Sequence, residues 1–213
     1  MSWSSEIWKK SLPVYEAILC LPFIKELSEG SLPAQKFERY IAQDELYLAS
    51  YGRQLFQFAD LLQDPYEKEV FTSFASSSLE GEKAMHQLLI EKGGLDLKVQ
   101  PSKVTLGYNA HTQAAIDTGV KELALAAILP CNWIYNRVGL DILSRSRLEG
   151  NPYKDWILEY GNEEFTSGVN LLVGMIDRWA EGAREELLAK MDEEFLEAVR
   201  FEYAFWEYGY NGD

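Results

Sequence analysis

Helical periodicity runs through almost the whole chain and constrains its fold more than any other feature. Apolar residues recur three and four positions apart, and no convincing run alternates apolar with polar residues. The sequence therefore predicts an all-α protein.

Start and stop signals divide this pattern into helices. Asp64-Pro65-Tyr66-Glu67 combines a cap, a first-turn proline and an acid, and Asn151-Pro152 repeats that start. We expect Ser31 to cap a further helix, with Pro33 in its first turn. Stops are expected at glycines, namely Gly30, Gly93-Gly94, Gly119, Gly161 and Gly182. The predicted helices span 5–20, 33–62, 65–92, 101–117, 120–147, 152–160, 162–181 and 184–208.

Composition limits the kind of protein and partner. The 213 residues are 47% hydrophobic and include six Trp, twelve Tyr and ten Phe, which predicts one packed helical domain over 1–213. The formal net charge of −14 speaks against nucleic acid or an anionic membrane, because both reward Lys and Arg clusters. A small neutral or cationic molecule is the expected partner.

Neither a disulfide framework nor a membrane segment is indicated. The two cysteines, Cys20 and Cys131, form no spaced disulfide or zinc pattern, which favours a reduced, cytoplasmic setting. Charged residues at helical spacing interrupt the first twenty positions, so we expect no signal peptide there. The longest charge-free run near Cys131 lies between Glu122 and Arg137, too short for a membrane span.

The segment LPCNWIYNRVG, residues 129–139, carries the first candidate site. Cys131 and Tyr135 stand four residues apart, so a helix places them on one face as a candidate nucleophile and a hydroxyl partner. Pro130 should kink the helix or restart it at Cys131, and a thiol at a helix N-terminus has a lowered pKa. The alternative is a buried cysteine that fills space in an apolar core.

A stripe of tyrosines surrounds an acid in the predicted helix 33–62. Tyr40, Asp44, Tyr47 and Tyr51 fall on one face of that helix. Shielding by the rings would leave Asp44 in reach of hydroxyl hydrogen bonds. Asp44 is therefore either a site acid or a structural acid that tyrosine hydroxyls satisfy.

A second acid lies among aromatic residues near the C-terminus. The segment FEYAFWEYGY begins at Phe201 and sets Glu202 among aromatic side chains. Desolvation there should raise the pKa of Glu202 above about 4.3, which suits proton transfer near neutral pH. The alternative is an ordinary solvated acid at the end of an acidic helix.

Metal and phosphate chemistry have little support in the sequence. His86 follows Glu82 by four residues, and His111 is the one other histidine, so the Glu-x-x-His pairs of di-iron bundles are missing. No glycine-rich phosphate-binding loop is present. We expect no metal and no cofactor.

Three segments together resemble the TenA family of thiaminase II enzymes, or aminopyrimidine aminohydrolases, across nearly the whole chain. They are LPFIKELSEGSLPAQKFERYIAQDELYL near the N-terminus, LPCNWIYNRVG in the middle and FEYAFWEYGY at the end. In some family members an acid elsewhere replaces the mid-chain cysteine. Cys131 makes this chain similar to the cysteine-containing class.

The resemblance implies a helical bundle of the haem-oxygenase-like type without haem, assembled as a homotetramer. It also implies hydrolysis of 4-amino-5-aminomethyl-2-methylpyrimidine to the 5-hydroxymethyl compound in thiamin salvage, and cleavage of thiamin in many members. By motif match, the catalytic residues would be Cys131, Glu202 and Asp44. Cys131 would be the nucleophile, and Glu202 would protonate the leaving group and then help to activate water. Asp44 would bind the amino-pyrimidine edge and stabilise charge as the thiolate adds. The aromatic positions around the substrate would be Tyr47, Tyr108, Tyr135 and Tyr160.

Two other functions compete with the hydrolase. One is a non-catalytic pyrimidine- or thiamin-binding or regulatory protein, because a pocket can persist without chemistry. The other is a di-metal or haem oxygenase on the same bundle, which ranks last because two histidines supply few ligands. Consumption of the ligand, as opposed to binding alone, separates the first from the hydrolase.

Overall fold

A computed structural model describes residues 2–93 and 99–212, with side chains described outside 88–93. The described residues form helices and no strand, which confirms the all-α prediction. The helices are α1 (Trp3–Cys20), α2 (Pro22–Glu29), α3 (Ala34–Leu61), α4 (Pro65–Gly93), α5 (Lys103–Asp117), α6 (Lys121–Arg145), α7 (Lys154–Tyr160), α8 (Glu163–Ala180) and α9 (Glu185–Asn211).

The predicted ranges match these helices to within three residues, except that they omit α2. That helix has eight residues and ends at Gly30, the predicted stop, whose left-handed φ of 74° suits a glycine. Gly119 and Gly182 also adopt positive φ just beyond α5 and α8. Gly161 caps α7, whereas Gly94 lies outside the described residues.

Of the three predicted starts, the one at Asp64 is capped as predicted, whereas Asn151 forms a turn before α7, a helix whose first turn has no side-chain cap. Asp64 Oδ1 accepts hydrogen bonds from the backbone N–H groups of Tyr66 and Glu67, at 2.8 and 3.1 Å. Asn151 Oδ1 accepts from the backbone N–H of Tyr153 at 2.8 Å, just before α7. The Ser31 cap was wrong, because α3 begins after Pro33 and its first turn receives no side-chain hydrogen bond.

Helix α6 lies in the centre of the fold. From position 123 to 136 every residue except Trp133 is buried, as expected for a helix packed on all sides. The helix runs without interruption through Pro130, so the predicted restart at Cys131 was wrong. Packing from all sides holds the proline within the helix. The Tyr51 hydroxyl also donates a 3.2 Å hydrogen bond to the carbonyl of Ile128, in the turn before it.

The other helices surround α6 and share one continuous apolar core, to which each of them contributes side chains. Helix α9 packs along α6, and α3 and α5 pack against each other and against both of these helices. This arrangement brings α3, α5, α6 and α9 to a common interior. Among the described residues, no helix is long and apolar enough to cross a bilayer.

Candidate active site

Helix α6 contributes Cys131 and Tyr135 to a small interior cavity. Both side chains are buried, and both line the cavity wall. The predicted shared face of these two residues is therefore confirmed. The Tyr135 hydroxyl accepts a 3.1 Å hydrogen bond from the Tyr40 hydroxyl on α3, which holds its ring against the cavity.

Helix α3 contributes Asp44 and Tyr47 from the predicted tyrosine stripe. All four members of the stripe are buried, so the interpretation of this face as an interior one is confirmed. Asp44 and Tyr47 line the cavity, whereas Tyr51 lies beside it. The Tyr51 hydroxyl accepts a 2.8 Å hydrogen bond from Asn132 Nδ2, a contact that the sequence did not predict.

Helix α9 contributes Glu202, and its surroundings contradict the alternative of a solvated acid. Glu202 is 1% exposed. The hydroxyl of Tyr108 on α5 donates a 2.5 Å hydrogen bond to Glu202 Oε1. Phe205, one turn further along α9, completes the cavity wall, although the sequence did not single it out as a site residue.

The cavity thus collects most of the predicted site residues in one place. Its volume of about 10 Å³ leaves room for roughly one water molecule, so the lining side chains have to move apart to admit a larger ligand. The lining side chains are Asp44, Tyr47, Tyr108, Cys131, Tyr135, Glu202 and Phe205.

Tyr160 is the one predicted site residue that does not reach the cavity wall. Its ring packs behind Tyr135, with ring centroids 4.8 Å apart, and also contacts Trp156 at 4.8 Å. It is buried. Tyr160 therefore supports the ring of Tyr135.

Asp44 is held by a histidine and not by tyrosine hydroxyls. His86 Nε2 lies 3.0 Å from Asp44 Oδ2, and His86 Nδ1 contacts Glu45 Oε1. Within the described part of the chain, no tyrosine hydroxyl bonds Asp44, so the alternative of a tyrosine-satisfied acid was wrong. The sequence did not reveal this pairing, because it depends on how α4 packs on α3.

Burial is the main influence on the pKa values of Glu202 and Cys131. It raises the pKa of Glu202 to about 8, against the hydrogen bond from Tyr108, which lowers it. The prediction of a raised pKa for Glu202 is therefore confirmed. Burial also raises the pKa of the Cys131 thiol well above its ordinary value, and nearby Glu202 adds to this effect. The predicted lowering was wrong, because Cys131 lies inside a continuous helix in an apolar core.

A third buried acid, Glu82 on α4, lies close enough to this site to interact electrostatically with Asp44 and Glu202. Burial raises its pKa to about 8, and its Oε2 atom has no hydrogen-bond partner. The spacing of Glu82 and His86 places both on one face of α4, and this shared face is the one feature of the sequence that could have indicated Glu82 as a site residue. Among the described residues, this site included, no group of three or more His, Cys, Asp or Glu side chains is arranged to hold a metal ion.

The chain that carries these residues matches a known family. The model of the TENA/THI-4/PQQC family matches residues 8–212, which is nearly the whole sequence. The chain belongs to this family. Its resemblance to TenA proteins, first noted in three segments, therefore extends from α1 to α9.

Relatives in sequence and in structure support the assignment. The chain is 30% identical to an aminopyrimidine aminohydrolase from Halalkalibacterium halodurans, over 99% of this chain and 96% of that protein. It is 31% identical to an aminopyrimidine aminohydrolase from Bacillus subtilis, over 99% and 90%. A TenA homologue from P. horikoshii superposes with a TM-score of 0.88 at 25% identity, covering 100% of both chains.

Proposed function

We propose that this TenA-family protein hydrolyses 4-amino-5-aminomethyl-2-methylpyrimidine to the 5-hydroxymethyl pyrimidine and ammonia, in thiamin salvage. Thiamin shares the pyrimidine half and is the second substrate to consider. The observation that carries the proposal is the meeting of Cys131, Asp44 and Glu202 at one cavity. Relatives named aminopyrimidine aminohydrolase align with nearly the full chain, which supports the same reaction.

Cys131 is the proposed nucleophile, and it starts as a neutral thiol because burial raises its pKa. The thiolate has to form when the substrate is bound. Glu202 lies close enough to influence the thiol, and because its pKa is about 8 its ionised form, the minor one at neutral pH, is the form that accepts the thiol proton. In the first step the thiol proton passes to the Glu202 carboxylate, and sulfur bonds to a carbon of the pyrimidine ring.

The same proton then leaves with the amine. The ring electrons of the adduct break the bond between the methylene carbon and nitrogen, and protonated Glu202 gives its proton to the departing ammonia. Water adds its oxygen to the methylene carbon and returns a proton to Glu202. The carbon–sulfur bond then breaks, and the thiolate takes that proton back. The balance is one amine and one water converted to one alcohol and one ammonia.

Asp44 and the cavity tyrosines are proposed to bind the ring. The Asp44 carboxylate accepts hydrogen bonds from the amino-pyrimidine edge and stabilises charge as sulfur adds. Tyr47 Oη is buried without a hydrogen bond of standard geometry, yet it lies close enough to the Cys131 thiol to lower its pKa, so it is placed to bond either the sulfur or the substrate. Tyr108 and Tyr135 supply aromatic walls, and Tyr160 backs Tyr135.

The decisive experiment measures ammonia release from the aminopyrimidine, with thiamin assayed in parallel. Cys131→Ser should abolish nearly all turnover while it still binds the pyrimidine. Cys20→Ser is the matched control, because Cys20 is exposed and should leave the rate unchanged. Full activity in Cys131→Ser would reject the covalent mechanism. Binding without ammonia release by the wild type would instead indicate a non-catalytic pyrimidine-binding protein.

A pH–rate profile tests the role of Glu202. One acid and one thiol that exchange a proton give a bell-shaped profile, and Glu202→Gln should remove one of its limbs. An unchanged profile in that variant would remove Glu202 from the proton-transfer role.

The homotetramer and the cytoplasmic location belong to the same proposal; the tetramer rests on the family resemblance, and the location rests on the lack of a spaced disulfide pattern in the sequence. Light scattering on the eluting protein should then give four times the chain mass of 24.4 kDa. A monomer mass would reject the tetramer and leave the hydrolase unaffected.

A further inference from the structure

His86 lies between two consecutive carboxylates of α3, outside the cavity wall. Its side chain is 1% exposed, with Nε2 3.0 Å from Asp44 Oδ2 and Nδ1 in contact with Glu45 Oε1. An ionised carboxylate only accepts hydrogen bonds, and a neutral imidazole carries a single N–H. Only the imidazolium form donates to both partners at once.

The charges around His86 favour this form. Asp44 and Glu45 face it from α3, and Glu82 lies one turn earlier on its own helix, α4. Burial opposes a charge on His86, but the two carboxylates outweigh burial and raise its pKa to about 10. The ring is therefore positively charged throughout the neutral range.

The contact also determines how Asp44 faces the cavity. Asp44 Oδ2 is occupied by His86, whereas no donor in the described part of the chain bonds Oδ1. Asp44 lines the cavity and His86 does not. The histidine thus acts on the cavity through the acid that it holds.

We propose that His86 is a positioning residue, an imidazolium clamped between Glu45 and Asp44 that orients the Asp44 carboxylate so that Oδ1 meets the amino-pyrimidine edge. This inference rests on the proposed function. Glu45 is the outer anchor of the clamp, because its side chain is 37% exposed and reaches solvent. The order from solvent to cavity is Glu45, His86 and Asp44.

The first test is spectroscopic and does not depend on activity. The chain has two histidines, so His111→Gln leaves the imidazole of His86 as the sole histidine signal in a ¹⁵N spectrum. His111 bonds the backbone carbonyl of Glu194 and does not line the cavity, so its replacement should leave turnover unchanged. At pH 8 we expect two protonated ring nitrogens on His86. A neutral tautomer at that pH would overturn the proposal.

The second test separates binding from chemistry. In His86→Gln, KM for the aminopyrimidine should rise about tenfold to a hundredfold, the range expected from one lost charged hydrogen bond, and kcat should also fall because Asp44 stabilises charge as sulfur adds. Calorimetric binding in the Cys131→Ser background should weaken by the same factor when His86→Gln is added. Binding as tight as in Cys131→Ser alone would overturn the proposal.

Glu45→Leu gives a variant at a half-exposed position that keeps the buried histidine and tests the same clamp. Loss of the outer acceptor should weaken pyrimidine binding by a smaller factor than His86→Gln does. Binding unchanged by Glu45→Leu would remove Glu45 from the clamp and overturn the proposal in this form. An active wild type with unchanged His86→Gln binding rejects the positioning role alone, whereas a wild type that neither binds nor hydrolyses the pyrimidine rejects the proposed function and this role with it.

Discussion

The Tyr108 hydroxyl donates a 2.5 Å hydrogen bond to Glu202 Oε1 and thereby joins α5 to α9 inside the cavity. Burial raises the pKa of Glu202 by more than this hydrogen bond lowers it, so the pKa of Glu202 is about 8. Together, the two effects place the pKa of Glu202 about one unit above neutral pH, so that both its protonated and its ionised forms are available for proton transfer.

Removal of that donor should move the pH dependence of catalysis in a defined direction. In Tyr108→Phe, the pKa of Glu202 rises because burial is no longer opposed, and the limb of the pH–rate profile that reports Glu202 shifts to higher pH. Comparison of kcat/KM profiles for the two proteins measures the shift. A shift to lower pH would show that the hydroxyl does not stabilise the carboxylate.

The two buried acids should make the fold less stable as pH rises. Glu82 and Glu202 have pKa values of about 8 in the folded protein against 4.5 ordinarily, so the folded state holds more protons between those values. The stabilisation of the folded state by these two protonated carboxyl groups is fully present below pH 4.5 and is lost as pH rises through 8. Between these two pH values, each group lowers the free energy of unfolding by about 1.4 kcal/mol per pH unit.

Chemical denaturation at pH 5, 6.5 and 8 measures that slope. Glu82→Gln and Glu202→Gln should each flatten it, while the exposed Glu69→Gln should run parallel to the wild type. Equal slopes in all four proteins would contradict the assignment of raised pKa values.

A close approach of α6 to the end of α7 predicts a sharp steric effect. A Cβ on Gly139 would lie 2.6 Å from the carbonyl carbon of Tyr160, a backbone atom that cannot move aside cheaply. Gly139→Ala should therefore destabilise the protein by about 1–3 kcal/mol. Activity should also fall, because Tyr160 supports the ring of Tyr135.

The control is a helical glycine with space around it. In Gly174→Ala the nearest atom lies 3.8 Å away, on the flexible side chain of Arg178, so stability should rise by about 0.5–1 kcal/mol. Thermal or denaturant unfolding of both variants gives the comparison. If both variants changed stability in the same direction, the close contact at Gly139 would be excluded as the cause of the change in Gly139→Ala.

The two cysteines should differ strongly in reactivity towards a disulfide reagent at pH 7.5. Cys20 is exposed, whereas Cys131 is buried and its raised pKa keeps it as the unreactive thiol. We expect one fast thiol in the native protein, lost in Cys20→Ser, and two in denaturant. Fast labelling of native Cys20→Ser would show that the Cys131 thiolate is already present.

Periodicity was enough to predict which faces carry Asp44, Cys131 and Glu202, because each shares a helix face with apolar or aromatic neighbours. It was not enough to predict the contacts between helices. The pairing of His86 with Asp44 and Glu45 depends on how α4 docks on α3, and the spacing of Glu82 and His86 indicated only a shared face.

Local rules also failed where packing opposed them. Pro130 predicts a helix break, yet α6 continues because it is packed on every side, and the direction of the predicted pKa shift for Cys131 was consequently reversed. The eight-residue α2 was omitted from the predicted ranges, although its terminal Gly30 was recognised. In both cases the missing information lay in tertiary structure.

The docking of α9 along α6 has a consequence for protein synthesis. The ribosome makes α6, with its apolar surface on all sides, before it makes α9, so the nascent chain exposes that surface until the last helix emerges. Glu202 is part of α9, the same helix that covers the apolar surface of α6. A chain interrupted before α9 would therefore lack both Glu202, the proposed proton donor, and the helix that covers α6, and we expect chaperones or proteases to remove it.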